Sequence, residues 1–272
     1  MRVFAHQIDL SWESPSENRE KLCSELNREA PDRGSLVVLP EMWSTGFSVG
    51  STTHAQPPGG ETETALQEIA KEYGVYLIAG IAVSDGGIGK NQAVLFMPDG
   101  SAHRDRYTKL FPFTPSGEAD FYPRGSDVVI WEIGGLTIAP FICYDLRFPE
   151  PFAQAALAGA DAFVVIANFP ARRQSHWDIL LRARAVECQA FAIGVNRIGS
   201  DPALEFSGGT AIIDPWGETL DAVQNDSPGI ASFDLDPTVA SDARASFPPL
   251  LDRREATERP QPLTNFSSLA SA

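Results

Sequence analysis

Short runs of consecutive apolar residues constrain the fold of this chain more than any other feature. The clearest runs are residues 36–39, 136–142 and 162–166. Runs without polar alternation are typical of strands that are buried on both faces, as in parallel sheets. The segments between them have helical periodicity, which predicts helices over 17–28, 61–73, 151–159 and 176–189. Alternation of helices with buried strands predicts an α/β fold.

The domain organisation follows from the continuity of this alternation. Further strands are predicted over 3–8, 75–83, 92–97, 128–133, 192–196 and 210–214. From about residue 234 the chain becomes rich in Pro, Ser and charged residues. We therefore predict one domain over 1–272, in which 234–272 form a carboxyl-terminal tail on the surface or on a partner subunit.

Charge and cysteine content exclude several classes of function. The chain has 21 basic and 36 acidic residues and a net charge of −15, which argues against a nucleic-acid or membrane partner. Cys23, Cys143 and Cys188 lie far apart with no CxxC pair, so neither a disulfide framework nor a zinc site is expected. The first ten residues do not resemble a signal peptide, and no run of about 18 apolar residues occurs. We expect a cytoplasmic protein.

Three predicted strands end beside a residue capable of taking part in covalent catalysis. Glu41 follows the first apolar run, Lys109 lies in an aromatic segment, and Cys143 ends the run over 136–142. Open α/β sheets bind ligands at the carboxyl ends of their strands. A helix predicted to begin near Pro149 would favour the Cys143 thiolate. Taken singly, a buried structural cysteine and a solvated lysine are the alternative interpretations.

These residues stand in blocks that resemble the signature motifs of the nitrilase superfamily of carbon–nitrogen hydrolases. The blocks are Leu39-Pro40-Glu41, Tyr107-Thr108-Lys109-Leu110-Phe111 and Ile142-Cys143-Tyr144-Asp145-Leu146-Arg147-Phe148-Pro149-Glu150. The similarity extends to 168–170, 176–177, 182–187 and 194–197, and spans residues 3–235 in the family's order. The resemblance implies a four-layer αββα sandwich, no metal or organic cofactor, and pairing of domains into a homodimer.

The resemblance also implies a role for each site residue. Cys143 would attack the substrate, and Glu41 would take the thiol proton and later protonate the departing ammonia. Lys109 and the backbone N–H of Tyr144 would stabilise the oxyanion. Glu118 matches the family's second glutamate, which would hold Lys109 and the substrate amide. Its alternative is a solvated carboxylate in the polar loop over 114–125.

Candidate substrate-binding residues lie near the same strand ends. Aromatic side chains there would line an acyl pocket, and an arginine would pair with a substrate carboxylate. These candidates are Trp43, Phe47, Asn168, Phe169, Arg172 and Arg173. Core packing remains the alternative for the aromatic residues and structural ion pairing for the arginines. Arg147 is expected to form a structural ion pair.

The expected activity comes from the finer resemblance. Residues 40–47 resemble the ω-amidase branch, which hydrolyses the terminal amide of short dicarboxylic 2-oxo acid monoamides such as 2-oxosuccinamate or 2-oxoglutaramate. Tyr144-Asp145 follows the cysteine as in amidases, whereas aliphatic nitrilases usually carry a Trp-Glu pair. We expect an amidase that releases ammonia from a small linear amide through a cysteine thioester.

Other functions remain as alternatives to this amidase. Within the superfamily they are an N-carbamoyl amide hydrolase and a nitrilase. From another class, the alternative is a thiol-bearing binding protein without catalysis. A dinucleotide-dependent oxidoreductase is disfavoured because no GxGxxG follows the first strand.

Overall fold

Two six-stranded mixed sheets organise the residues that this computed structural model describes, 1–50 and 52–253. The first sheet has the spatial order β14-β1-β2-β3-β4-β5. Its strands, numbered along the chain, are β1 Arg2–Gln7, β2 Leu36–Val38, β3 Tyr76–Asp85, β4 Ile88–Phe96, β5 Tyr107–Thr108 and β14 Gly229–Asp234. The three strands β1, β2 and β3 run parallel, and the others are antiparallel to their neighbours.

The second sheet has the order β13-β12-β9-β8-β7-β6. Its strands are β6 Trp131–Ile133, β7 Leu136–Ile142, β8 Ala162–Ala167, β9 Phe191–Asn196, β12 Ala211–Ile213 and β13 Thr219–Ala222. The strands β7, β8 and β9 are parallel, so three consecutive carboxyl ends lie at one edge. A separate hairpin, β10 Ile198–Ser200 and β11 Glu205–Ser207, follows β9.

Helices cover the outer face of each sheet. The helices are α1 Pro15–Glu29, α2 Glu61–Tyr73, α3 Glu118–Phe121, α4 Pro149–Leu157, α5 Gln174–Cys188 and α6 Pro237–Ser246. Leu22 of α1 and Leu66 of α2 pack on the first sheet, while Phe152 of α4 and Leu181 of α5 pack on the second. None of the helices in the described part of the chain is long and apolar enough to cross a membrane.

The period of two along a strand explains why β2 is apolar throughout. Leu36 and Val38 belong to the core that includes Phe141 of the second sheet. Val37 points the other way, into the cluster under α1 and α2. Both faces of the strand are therefore buried between layers. The predicted α/β fold with four αββα layers is confirmed.

The carboxyl-terminal region contains elements that the sequence analysis did not assign. Strand β14 pairs antiparallel with β1 at the edge of the first sheet. Helix α6 lies within the segment predicted as a tail; Asp236 caps it by accepting from the Thr238 N–H at 2.9 Å, and Pro237 occupies its first turn. Residues 254–272 of that predicted tail lie outside the described residues.

Candidate active site

Four strand ends from both sheets converge on one site. Glu41 follows β2 and Lys109 follows β5 in the first sheet, whereas Cys143 follows β7 and Asn168 follows β8 in the second. Each of the four is buried, with between 0 and 7% of its surface exposed. The predicted meeting of Glu41, Lys109 and Cys143 is thus a contact between sheets.

A buried ion-pair network joins Lys109 to two glutamates. The Lys109 Nζ atom donates to Glu41 Oε1 at 2.8 Å and to Glu118 Oε2 and Oε1 at 2.9 and 3.1 Å. Burial acts to lower the pKa of Lys109, but the Glu118 and Glu41 carboxylates outweigh it and hold that pKa well above its ordinary value. Lys109 therefore stays an ammonium.

Asn91 on β4 completes this network, although its role was not anticipated from the sequence. Its Nδ2 atom donates to Glu41 Oε1 at 2.8 Å and to Glu118 Oε1 at 2.9 Å. An amide with two donors thus holds two carboxylates that would otherwise repel each other. Asn91 is flanked by Lys90 and Gln92, so no signal in the sequence distinguished it.

Glu118 begins the short helix α3 and is fully buried. Besides Lys109 and Asn91, it accepts from the backbone N–H of Phe113 at 2.6 Å. The alternative of a solvated loop carboxylate is therefore wrong. Its location on a four-residue helix between two turns explains why the polar sequence over 114–125 concealed its burial.

The Cys143 thiol stands on a strained turn. Its φ angle is +49°, a region that non-glycine residues rarely adopt, and the turn continues as a 3-10 helix over Cys143–Arg147. Burial raises the pKa of Cys143 well above its ordinary value, and the charge of Glu41 raises it further while Lys109 opposes this. Burial and the Glu41 carboxylate therefore favour the Cys143 thiol over the thiolate that the helix terminus was expected to favour.

Glu41 is fixed by donors on both of its oxygens. Oε1 accepts from Lys109 and Asn91, and Oε2 accepts from the backbone N–H of Asn168 at 2.9 Å. The Asn168 side chain also donates to the Glu41 carbonyl at 2.7 Å. The carboxylate thus has a fixed position beside the thiol, as a general base requires.

A small cavity that is open to solvent leads to Cys143. Its lining residues are Phe47, Phe113, Cys143, Tyr144, Arg147, Asn168, Phe169, Pro170, Arg173 and Leu204. The lining includes four of the predicted substrate-binding residues, namely Phe47, Asn168, Phe169 and Arg173. It adds Pro170, which directly follows the predicted Phe169, and Phe113 and Leu204, for which the sequence offered no signal because they come from separate loops.

Two predicted substrate-binding residues lie elsewhere. Trp43 packs in the cluster between the first sheet and the helices α1 and α2, with 1% of its surface exposed. Arg172 is exposed to solvent and is not among the lining residues. The turn over Ala171–Arg173 separates the two arginines, so only Arg173 faces the cavity.

Arg147 lines the cavity and does not form the expected structural ion pair. Within the described residues, its guanidinium has no carboxylate partner; it donates to His176 Nδ1 at 3.1 Å and lies over the Tyr144 and Phe169 rings at 5.7 and 5.6 Å. Burial lowers the pKa of Arg173, and the positive charges of Arg172 and Arg147 lower it further. The cavity therefore contains unbalanced positive charge.

Asp145 is a further buried acid of the site, and its role was not predicted. It accepts hydrogen bonds from Tyr107, Phe111 and Ile142. Burial raises the pKa of Asp145 to about 7, although the Lys109 charge and these donors oppose the rise. For metals, the described residues contain no group of three or more His, Cys, Asp or Glu side chains arranged to hold an ion.

Comparisons with known proteins identify the family of this chain. The model of the carbon-nitrogen hydrolase family matches residues 5–245. A 2-oxoglutaramate amidase of Bacillus subtilis is 33% identical over 251 residues, covering 92% of this chain and 96% of that protein. The ω-amidase YafV of Escherichia coli is 33% identical over 223 residues, covering 81% and 80%.

A solved structure resembles the fold over nearly its whole length. It is a CN-hydrolase superfamily protein from Xanthomonas campestris with an arsenic adduct in its active site. Its TM-score is 0.86 at 28% identity, and the match covers 94% of this chain and 97% of that one.

Proposed function

This chain belongs to the carbon-nitrogen hydrolase family, the nitrilase superfamily, and we propose that it is an ω-amidase that hydrolyses the terminal amide of a short 2-oxo dicarboxylic acid monoamide. The observation that carries the proposal is that Cys143 lines a cavity with Arg147 and Arg173, beside the buried Glu41–Lys109 ion pair. The names of the similar proteins support the same substrate class.

The proposed reaction starts with Cys143 as the nucleophile and Glu41 as its base. Glu41 takes the thiol proton as Sγ attacks the amide carbonyl carbon. Lys109 Nζ and the backbone N–H of Tyr144 stabilise the oxyanion. Glu41 then gives its proton to the leaving nitrogen, so ammonia departs and a thioester with Cys143 remains.

Water completes the proposed cycle. Glu41 accepts a proton from the water that attacks the thioester. It returns this proton to the Cys143 thiolate as that thiolate leaves. The overall change is amide plus water to carboxylic acid plus ammonia. Glu118 and Asn91 hold Glu41 and Lys109 in place throughout, through the hydrogen bonds of the resting site.

The free carboxylate of the substrate is proposed to bind Arg173 and Arg147. Both guanidinium groups line the cavity and have no carboxylate partner within the described residues. Planar guanidinium groups bind carboxylates through two parallel hydrogen bonds. The rings of Phe47, Phe113 and Phe169 would enclose the short carbon chain between the carboxylate and the amide.

We also propose that the enzyme works in the cytoplasm as a homodimer. Cys23, Cys143 and Cys188 are free in the described part of the chain, which suits a reducing compartment. On the outer face of α5, Ile179 and Val186 are exposed beside Trp216, and such apolar patches favour association.

Ammonia release tests this function directly. The panel contains 2-oxosuccinamate, 2-oxoglutaramate, an N-carbamoyl amine, a simple nitrile and a neutral short amide. We expect the two monoamides to turn over fastest, and Cys143→Ala to lower the rate by about a thousandfold or more because it removes the nucleophile.

Two arginine variants serve as a matched pair. Arg173→Met should raise KM for the anionic monoamides about tenfold or more and leave the neutral amide unaffected, since it removes a carboxylate contact. Arg172→Met, on the exposed side of the same turn, should leave both KM values unchanged.

The substrate panel can also contradict the assignment. Preferred turnover of the carbamoyl or nitrile substrate would contradict the ω-amidase assignment, and the absence of any Cys143-dependent turnover would favour a binding protein.

A further inference from the structure

Asp145 has hydrogen-bond partners on both sheets. Its Oδ2 atom accepts from the Ile142 N–H at 2.9 Å and from the Tyr107 hydroxyl at 2.7 Å, and its Oδ1 atom accepts from the Phe111 N–H at 2.8 Å. The residue is fully buried. Within the described residues it forms no ion pair.

The donors flank the two groups of the proposed reaction that must act together. Ile142 directly precedes Cys143, whereas Tyr107 and Phe111 stand two residues before and two residues after Lys109. The first donor belongs to β7 of the second sheet, and Tyr107 belongs to β5 of the first. One carboxylate is thus fastened to the backbone on both sides of the sheet–sheet contact.

The geometry points to Asp145 as a positioning residue that fixes the distance between the Cys143 turn and the Lys109 segment. This proposal rests on the amidase activity proposed above. The nucleophile and the oxyanion-stabilising ammonium come from different sheets, so a small shift between the sheets would separate them. A displacement of about 1 Å can lower a rate about a hundredfold.

A carboxylate suits position 145 because all three of its hydrogen-bond partners are donors. An ionised carboxylate accepts at both oxygens, whereas the amide of an asparagine would turn an N–H group towards a donor. Burial of an acid without a cation partner is unfavourable unless its oxygens are fully hydrogen-bonded. The three donors supply hydrogen bonds to both oxygens and oppose the rise in the pKa of Asp145 that burial causes.

A simple structural role is the competing explanation, because Asp145 also caps its own turn through the Ile142 N–H. The bond from Tyr107 separates the two explanations. Tyr107→Phe removes one of the two bonds that join Asp145 to the Lys109 segment, and it leaves the capping bond and the Phe111 N–H bond in place. Tyr73→Phe is the matched control, because its hydroxyl donates to Asn27 Oδ1 at 2.7 Å on the exposed helical layer.

Kinetics of the full-length variants provide the first test. Tyr107→Phe should lower kcat for the preferred monoamide about tenfold, with KM changed less than about twofold, because the ground-state contacts remain. Asp145→Asn should lower kcat about a hundredfold. Tyr73→Phe should match the wild type. Wild-type kcat in Tyr107→Phe, or a fall in its kcat accompanied by an equal change in KM, would overturn the proposal.

Alkylation of Cys143 provides a second test that needs no amide substrate. Lys109 lowers the pKa of Cys143, so a looser Lys109 segment leaves less thiolate. Iodoacetamide should therefore label Cys143 several-fold more slowly in Tyr107→Phe than in the wild type at pH 8, with Tyr73→Phe unchanged. An equal labelling rate in all three proteins would overturn the proposal even if the amidase assignment held. Failure of every amide with slowed labelling would instead count against the substrate assignment alone.

Discussion

At Cys143, two effects oppose the ionisation that a nucleophile needs. Burial and the Glu41 carboxylate raise the pKa of the thiol, and the Lys109 ammonium only partly offsets them. The resting site therefore favours the protonated form of the sulfur. Glu41 limits the thiolate population before substrate arrives, and we propose that it removes the proton during attack.

Replacement of Glu41 separates its effect on the pKa of Cys143 from its proposed role as the base during attack. In Glu41→Gln the charge that raises the pKa of Cys143 is gone and Lys109 remains, so the thiolate fraction at pH 7 should rise. Iodoacetamide should then label Cys143 several-fold faster than in the wild type, while amide hydrolysis falls by about a hundredfold or more. Mass spectrometry of the labelled peptide measures the rate.

Glu150→Gln is the control for this change, because Glu150 is an exposed glutamate on α4. It should alter neither rate. Slower labelling in Glu41→Gln than in the wild type would contradict this account of the thiol.

The sequence predicted the roles of some site residues and not of others. Glu41, Lys109 and Cys143 each stand in a local block, so their convergence was predictable. Asn91 and Asp145 act through hydrogen bonds to residues 27 to 50 positions away, and only the fold reveals those partners. Arg147 was misassigned because the sequence does not show which side of the turn faces the cavity.

Among the elements, strand β3 sets the position of the Glu41 loop. The Gly80 N–H donates to the Pro40 carbonyl at 3.2 Å, and the Gly80 carbonyl accepts from the Trp43 N–H at 2.8 Å. A Cβ atom at Gly80 would lie 2.5 Å from the Glu41 Cα and 2.7 Å from the Met42 N. Glycine is therefore required for this close approach of two backbones.

Gly80→Ala should displace the Glu41 loop and lower kcat about a hundredfold, because general-base geometry is lost. The melting temperature should fall as well, and both are measured on the purified variant. Gly50→Ala is the control, since a Cβ at Gly50 meets nothing within 4 Å. Equal activity of the two variants would contradict this view of β3.

Element prediction succeeded where burial imposes a strong pattern. The apolar runs that became β2, β7 and β8 were assigned almost to the residue. The short strands β5, β10, β11 and β13 have between two and four residues each. Pairing with neighbours rather than local composition creates such strands, so no periodicity identifies them.

For the whole molecule, the outer face of α5 is the surface that we expect to mediate the proposed dimer. Ile179, Val186 and Trp216 are 66%, 47% and 54% exposed. Ile179 and Val186 are seven residues apart on one helix face, and the turn at Gly217 packs against Val186. A rimmed apolar patch can mark a protein–protein interaction site.

Val186→Glu should shift the protein towards the monomer, because a charge in an apolar interface would be desolvated without a partner. Sedimentation velocity at several concentrations measures the shift. Ile88→Glu is the control: Ile88 is 56% exposed at the β3–β4 hairpin, on the other sheet. A wild-type monomer, or an unchanged dimer in Val186→Glu, would contradict this assignment.

The four-layer arrangement was implied by the resemblance and is consistent with buried strands alternating with helices. The elements beyond β13 were not predicted, since β14 mixes apolar with small and polar residues and α6 lies in a segment rich in Pro and Ser. Which residues meet where the two sheets pack together also could not be predicted from the sequence. This contact brings Glu41 and Asn168 together, although 127 residues separate them in the chain.

The charges around the cavity bear on how the product leaves. Arg147 and Arg173 line the cavity, whereas the buried acids Glu41, Glu118 and Asp145 outnumber the Lys109 ammonium behind the thiol. A monoamide brings one free carboxylate to the two arginines. Hydrolysis converts that substrate into a dianion, whose second carboxylate forms close to Glu41. The reaction thus creates the repulsion that expels its own dicarboxylate, and turnover should proceed with little product inhibition.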